Sequence, residues 1–127
     1  MAKILVVDDD PDVVEAIEIL LTSAGHEVGT AGNREEGMKA VESFNPDMCI
    51  LDVMMEEPDD GFVMAQALRR QKFTKPILIL TSIGKVTGMD FGRDDAMVPV
   101  DDFQEKPIKP ADLLNKVNGL LNKAGGA

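Results

Sequence analysis

Four strand-like segments of this chain each end on residues able to do chemistry. Ile4–Val7 runs into Asp8 and Asp9, Met48–Leu51 into Asp52, Ile77–Leu80 into Thr81 and Ser82, and a weaker segment near Phe103 into Lys106. In an open parallel sheet with helices on both faces, ligands bind beyond the carboxyl ends of the strands, so these residues would share one crevice. Two carboxylates about 5 Å apart repel by about 3 kcal/mol at an effective dielectric of 20. The formal charge of Asp8, Asp9, Asp52 and Lys106 is −3 + 1 = −2, which one Mg²⁺ would cancel. Hard carboxylate oxygens near a phosphate suit Mg²⁺, and a metal beside an ammonium stabilises phosphoryl oxygens in a transition state. The pattern predicts a carboxylate that accepts a phosphoryl group.

Taken singly, each residue has an ordinary structural role. An Asp after a strand is commonly a turn or cap residue, and Asp10 before Pro11 is a good helix N-cap. Thr81 alone is a strand-end hydroxyl and Lys106 alone a surface lysine. Asp8 and Asp9, however, exceed what capping requires, and Asp52 has no helix immediately after it. The joint placement carries the functional reading.

The elements that must position these residues are legible from periodicity. Ile4–Val7, Met48–Leu51 and Ile77–Leu80 are apolar on both faces, as suits central strands of a parallel sheet; Val28–Ala31 is a weaker strand. Helical spacing of apolar residues starts at Val13 and stops at Gly25. A second helix is capped by Asn33 and closed by Asn45-Pro46. A third carries Phe62, Ala65 and Leu68 and ends in Arg69, Arg70 and Lys72, where cations suit the helix dipole. The last runs from Pro110 to about Asn122, followed by a frayed end. Ile83–Val100, with Gly84, Gly88, Gly92 and Pro99, holds no 3.6-residue period and is expected to be mostly irregular. Strand and helix alternating in this way predict an α/β domain with right-handed crossovers and helices on both faces.

Composition sets the limits. At 127 residues and a net charge of −10, the chain is one acidic domain that needs no disulfide or metal to hold a core. Its charge argues against nucleic acid or an anionic membrane as a direct partner. One Cys and one His exclude an internal disulfide and a Cys/His zinc site. Cys49 reads as a buried strand residue and His26 as a surface residue. No apolar run reaches the roughly 18 residues of a membrane span, and the start of the chain reads as a strand, not a signal peptide. A soluble domain of the reducing cytoplasm is expected.

The segments Lys3–Asp10, Leu51–Met55, Gly61-Phe62, Leu80–Ser82 and Lys106–Ile108 together resemble the receiver domain of bacterial two-component response regulators, in order and near-family spacing over almost the whole chain. The resemblance implies a three-layer, flavodoxin-like, doubly wound sheet of five parallel strands in the order 2-1-3-4-5. It implies Asp52 as phosphoryl acceptor; Asp8, Asp9 and Asp52 as Mg²⁺ ligands, joined by the backbone carbonyl of Met54; Thr81 as the hydroxyl on the phosphoryl group; and Lys106 as its cation. Phe103 takes the switch-aromatic position, and Pro107 would follow a cis peptide. The implied role is a signalling switch, not an enzyme with its own substrate. A sensor histidine kinase or a histidine phosphotransfer protein donates the phosphoryl group, the domain assists its own phosphorylation and dephosphorylation, and a downstream protein reads the state. Residues 1–124 would form the domain and 125–127 a tail.

The chain departs from that family in two places. Glu56 stands where Pro is usual and Gly61 falls one residue late, so the loop beside the implied acceptor is expected to be reshaped and more acidic. Ile83–Val100 is longer and richer in glycine than usual, so the family's fourth helix is expected to be short, distorted or absent. Met54 and Ile83, both apolar, flank the phosphoryl site and cannot orient a water, which predicts a long-lived acyl phosphate.

Other readings fit less well. A haloacid-dehalogenase-type phosphatase would match Asp8 and Asp10, but Asp12 stands where Thr or Val is expected and no residues remain for a cap. A calcium loop from Asp8 fails at Val13 and Ile19. A flavin carrier would have its phosphate repelled by Asp8-Asp9-Asp10. Asp90-Phe91-Gly92 resembles a kinase metal motif in a chain far too short for a kinase. The remaining alternative is a receiver-like protein-binding module that is not phosphorylated.

Overall fold

The computed structural model describes residues 2–53, 60–82, 101–106 and 109–125. Five strands and four helices occupy them: β1 (Lys3–Val7), α1 (Pro11–Ser23), β2 (Glu27–Ala31), α2 (Arg34–Phe44), β3 (Met48–Asp52), α3 (Asp60–Arg70), β4 (Ile77–Ser82), β5 (Asp102–Lys106) and α4 (Pro110–Gly125). The strands form one parallel sheet in the order β2-β1-β3-β4-β5, as the resemblance implied. The segment 83–100, expected to lack a regular helix, lies outside the described residues, as do Met54 and Pro107.

Alternation along the central strands explains the three layers. Leu5, Val7, Cys49, Leu51, Ile77 and Ile79 face one side, where Met64, Ala65 and Leu68 of α3 cover them, with Met38 and Val41 of α2 packed against the same cluster. Ile4, Val6, Met48, Ile50, Leu78 and Leu80 face the other side, against Ile17 and Leu21 of α1 and Leu113 and Val117 of α4. A strand with two buried faces has no place for polar residues until it leaves the sheet. Each central strand therefore ends in a polar residue at the same rim.

The caps follow local chemistry. Asp10 Oδ1 accepts from the Asp12 amide at 3.0 Å, with Pro11 in the first helical position. Asn33 Oδ1 accepts from the Glu36 amide at 2.8 Å, while Glu36 Oε1 reaches back to the Gly32 amide at 3.1 Å. Gly25, just past the Ala24 cap, has φ +96°, which disfavours any side chain.

Three local differences from expectation have physical causes. β2 starts one residue earlier, because the Glu27 amide donates to Ala2 O at 2.8 Å. The last helix continues to Gly125 rather than stopping near Asn122. His26 is half-buried rather than a surface residue: its Nδ1 accepts from the Ala2 amide at 3.1 Å, and its side chain also bonds Asn118 of α4. Burial first, and then the positive chain terminus, hold its pKa below the usual histidine value, with the Asn118 bond opposing them.

Candidate functional site

The β1–β3 pairing ends at Val7↔Leu51, so Asp8 emerges one residue past the paired segment and Asp52 at the end of its own strand. β3 continues one step further against β4, where Asp52 pairs with Leu80. Thr81 is the next residue of β4 and pairs with Glu105 of β5, and Ser82 pairs with Lys106. The sheet thereby brings the strand ends of four elements to one rim.

Asp8, Asp9 and Asp52 each offer a carboxylate oxygen, and these atoms lie within 4.8 Å of one another. Asp8 and Asp52 are buried, at 1% and 6% exposure, whereas Asp9 is open to solvent. Asp8 is held from two directions: its Oδ1 accepts from the Asp10 amide at 2.9 Å, and its own amide donates to Ala31 O at 3.1 Å. Hard oxygen donors, two of them fixed and one reachable by water, fit a small divalent cation that keeps part of its hydration shell. Thr81 is buried at the next strand end. For Lys106 the backbone stands at the end of β5, but its side chain is outside the described part, as is Met54.

Beside the cluster, a cavity of about 680 Å³ opens between α1 and the end of β2, lined by Asp8, Asp9, Val14, Glu15, Glu18 and Glu36 among others. This rim is strongly negative and favours cationic partners over anionic ones.

The Asp52 side of the site is packed to backbone contact. The Gly61 amide donates to Val53 O at 2.9 Å, and the Val53 amide donates to Leu80 O at 2.8 Å. A Cβ on Gly61 would sit 2.4 Å from Asp52 O and 2.8 Å from Val53 Cα. Only glycine lets the first turn of α3 lie this close to the end of β3. Next to it, Asp60 is buried at 2% exposure and pairs with Arg34 of α2 at 3.1 Å. Sequence reasoning singled out neither Arg34 nor the pairing, because no single-chain pattern marks two charges that meet only when α2 and α3 pack side by side.

Phe103, the expected switch aromatic, is half-buried on the α3 side of β5, its ring centroid 6.2 Å from that of Phe62. Cys49 is buried in β3 as expected, and burial pushes its thiol up to about 12, with Arg69 opposing.

Comparison with known proteins agrees with this architecture. The family model of the response regulator receiver domain matches residues 4–118. The chain is 36% identical over 126 residues to the alkaline phosphatase synthesis transcriptional regulatory protein PhoP of Bacillus subtilis, covering 96% of this chain and 49% of that protein. It is 34% identical over 129 residues to the DNA-binding dual master transcriptional regulator RpaA of Synechocystis, covering 97% and 50%. The chain thus spans about half the length of the curated relatives it matches. Among solved structures, the Francisella response regulator 1452 receiver domain superimposes with a TM-score of 0.84 at 25% identity, over 98% of this chain and 99% of that one. The response regulator TrrA of Thermotoga maritima, solved in complex with Mg²⁺–BeF, gives 0.79 at 33% identity, over 94% and 99%. With the sheet order, the acid rim and these matches in agreement, the chain belongs to the response regulator receiver domain family.

Proposed function

We propose that this domain is the phosphoryl-accepting switch of a two-component phosphorelay, with Asp52 as acceptor. The observation that carries this reading is the convergence of the Asp8, Asp9 and Asp52 carboxylates within 4.8 Å at adjacent strand ends. Three like charges so close are costly unless a cation joins them. Asp8, Asp9 and Asp52 would hold Mg²⁺, with the Met54 carbonyl as a further ligand. Bound there, the ion would neutralise charge on the phosphoryl oxygens.

The Asp52 carboxylate attacks phosphorus of a phosphohistidine. A P–O bond forms, the P–N bond breaks, and the departing imidazole nitrogen keeps the electron pair and takes up a proton. Thr81 donates its hydroxyl to a phosphoryl oxygen and the Lys106 ammonium pairs with another. Water later attacks the acyl phosphate, releasing inorganic phosphate and restoring the carboxylate. The acceptor passes from one negative charge to two, and this local change is what a partner reads. Apolar Met54 and Ile83 slow the hydrolytic step.

The donor is a sensor histidine kinase or a histidine phosphotransfer protein, and a downstream protein reads the phosphorylated form. With a net charge of −10, this domain contacts neither nucleic acid nor an anionic membrane directly. DNA binding, named for the relative RpaA, belongs in this reading to sequence beyond the matched half. Residues 1–124 act as the receiver unit in the cytoplasm; among the described residues no helix is long and apolar enough to cross a membrane.

Incubation with acetyl phosphate and Mg²⁺ tests the reading. The intact protein should gain the mass of one phosphoryl group, Asp52→Ala should gain none, and chelation should abolish uptake. A Met54→Asn variant should release phosphate faster. Absence of uptake by the intact protein would leave the binding-module reading in its place.

A further inference from the structure

Asp60 is as inaccessible as Asp8 and Asp52, yet its charge is met from a different helix: Arg34, in the first turn of α2, places Nη1 3.1 Å from Asp60 Oδ1. The two residues close a circuit around the acceptor. From Asp8, the amide bond to Ala31 O leads through Gly32 and Asn33 to Arg34. From Asp52, the backbone leads through Val53, whose carbonyl accepts from Gly61, to Asp60. β1 and β3 themselves stop pairing at Val7↔Leu51, so the sheet ladder between these two strands does not reach Asp8.

One turn further along both helices the packing repeats. Gly37, on the Arg34 face of α2, is met by the tip of the Met64 side chain, whose Cε would lie 2.9 Å from an added Cβ, and Met64 lies on the Asp60 face of α3. The ion pair is thus the end rung, on the Asp52 side, of the α2–α3 contact. A buried carboxylate that loses its cation is driven toward water. Asp60 and Gly61 open α3 together, so any shift of Asp60 carries the turn packed on Asp52 and Val53.

We propose that Arg34 is a positioning residue for phosphoryl uptake: through Asp60 it clamps the first turn of α3 against the acceptor strand and so fixes Asp52 relative to Asp8. Arg34 touches neither the phosphoryl donor nor the acceptor atoms. The inference rests on the proposed phosphorylation of Asp52.

The test compares wild type, Arg34→Gln, Arg34→Lys and Asp60→Asn in Mg²⁺ with acetyl phosphate, at a temperature where circular dichroism shows each variant fully folded. Arg34→Gln should lower the maximal labelling rate roughly tenfold, a fraction of what a full 1 Å misplacement costs. The half-saturating acetyl phosphate concentration should stay unchanged, and Arg34→Lys should recover most of the rate. Asp60→Asn loses the same ion-pair tether without leaving a buried charge, so it should show a loss of the same sign but smaller, and it serves if Arg34→Gln does not fold. Wild-type rates in Arg34→Gln or Asp60→Asn, or a loss that Arg34→Lys does not relieve, would overturn the inference. If wild type itself takes up no phosphoryl group, the proposed function fails instead. The clamp is then read from the Val53 and Gly61 amide resonances: displacement in Arg34→Gln with return in Arg34→Lys upholds it, and unmoved resonances overturn it.

Discussion

Replacing Gly61 by alanine would push a methyl group into backbone. The nearest atoms are Asp52 O at 2.4 Å, Val53 Cα at 2.8 Å and Asp52 C at 2.9 Å, against ordinary contact from 3.4 Å. The shortfall to Asp52 O is therefore 1.0 Å (3.4 − 2.4), and none of these atoms is the end of a flexible side chain. β3 cannot yield readily, since β1 and β4 bond it on either side. The start of α3 must move away, and the bond from the Gly61 amide to Val53 O lengthens with it. Overpacking of this kind costs about 1–3 kcal/mol. At about 4 °C per kcal/mol for a chain of this size, Tm should fall by about 4–12 °C. The chain has no Trp or Tyr, so circular dichroism is the natural way to follow the melt. The functional loss should exceed the stability loss, because an acceptor misplaced by about 1 Å can lose on the order of 100-fold in rate. Phosphate-affinity electrophoresis after acetyl phosphate treatment, at a temperature where the variant is folded, reads that rate. If Gly61→Ala melts with wild type and labels at the wild-type rate, the backbone contact does not set the acceptor's position.

The opposite rim supplies a contrast. Arg69 donates to Phe73 O at 2.7 Å and Lys75 O at 2.9 Å and pairs with Asp101 at 3.0 Å, so Arg69→Met should cost about 2 kcal/mol in a denaturant melt while leaving the labelling rate unchanged. His26 has a folded pKa below its unfolded value near 6.5, so the unfolded state binds the extra proton. Stability should therefore fall as pH drops below about 6.5 and continue to fall until the folded pKa is passed. His26→Gln should flatten that part of a Tm-against-pH curve. Cys49, buried with its thiol pushed up to about 12, should resist iodoacetamide at pH 8 in the native protein and react once denaturant unfolds it.

Much of the fold was legible because two local rules dominate it. Strands apolar on both faces announce a covered parallel sheet, and Asp10, Asn33 and Gly25 mark helix ends through contacts made within a few residues. The identity of the acids was legible for the same reason: a charge directly after a doubly buried strand must lie at the rim. The His26 environment was not, since its partners Ala2 and Asn118 come from elements far away in sequence.

The amino-acid sequence by itself determined which residues could form the site, because burial of both strand faces forces polar residues to the strand ends. Only the tertiary structure decided how they are held: that the Asp8, Asp9 and Asp52 oxygens meet within 4.8 Å, that Gly61 leaves no room for a methyl group beside Asp52, and that Arg34 answers Asp60. Those are distances between different segments of the chain, most of them tens of residues apart. They are set by how two helices and three strand ends pack together, which no local periodicity encodes.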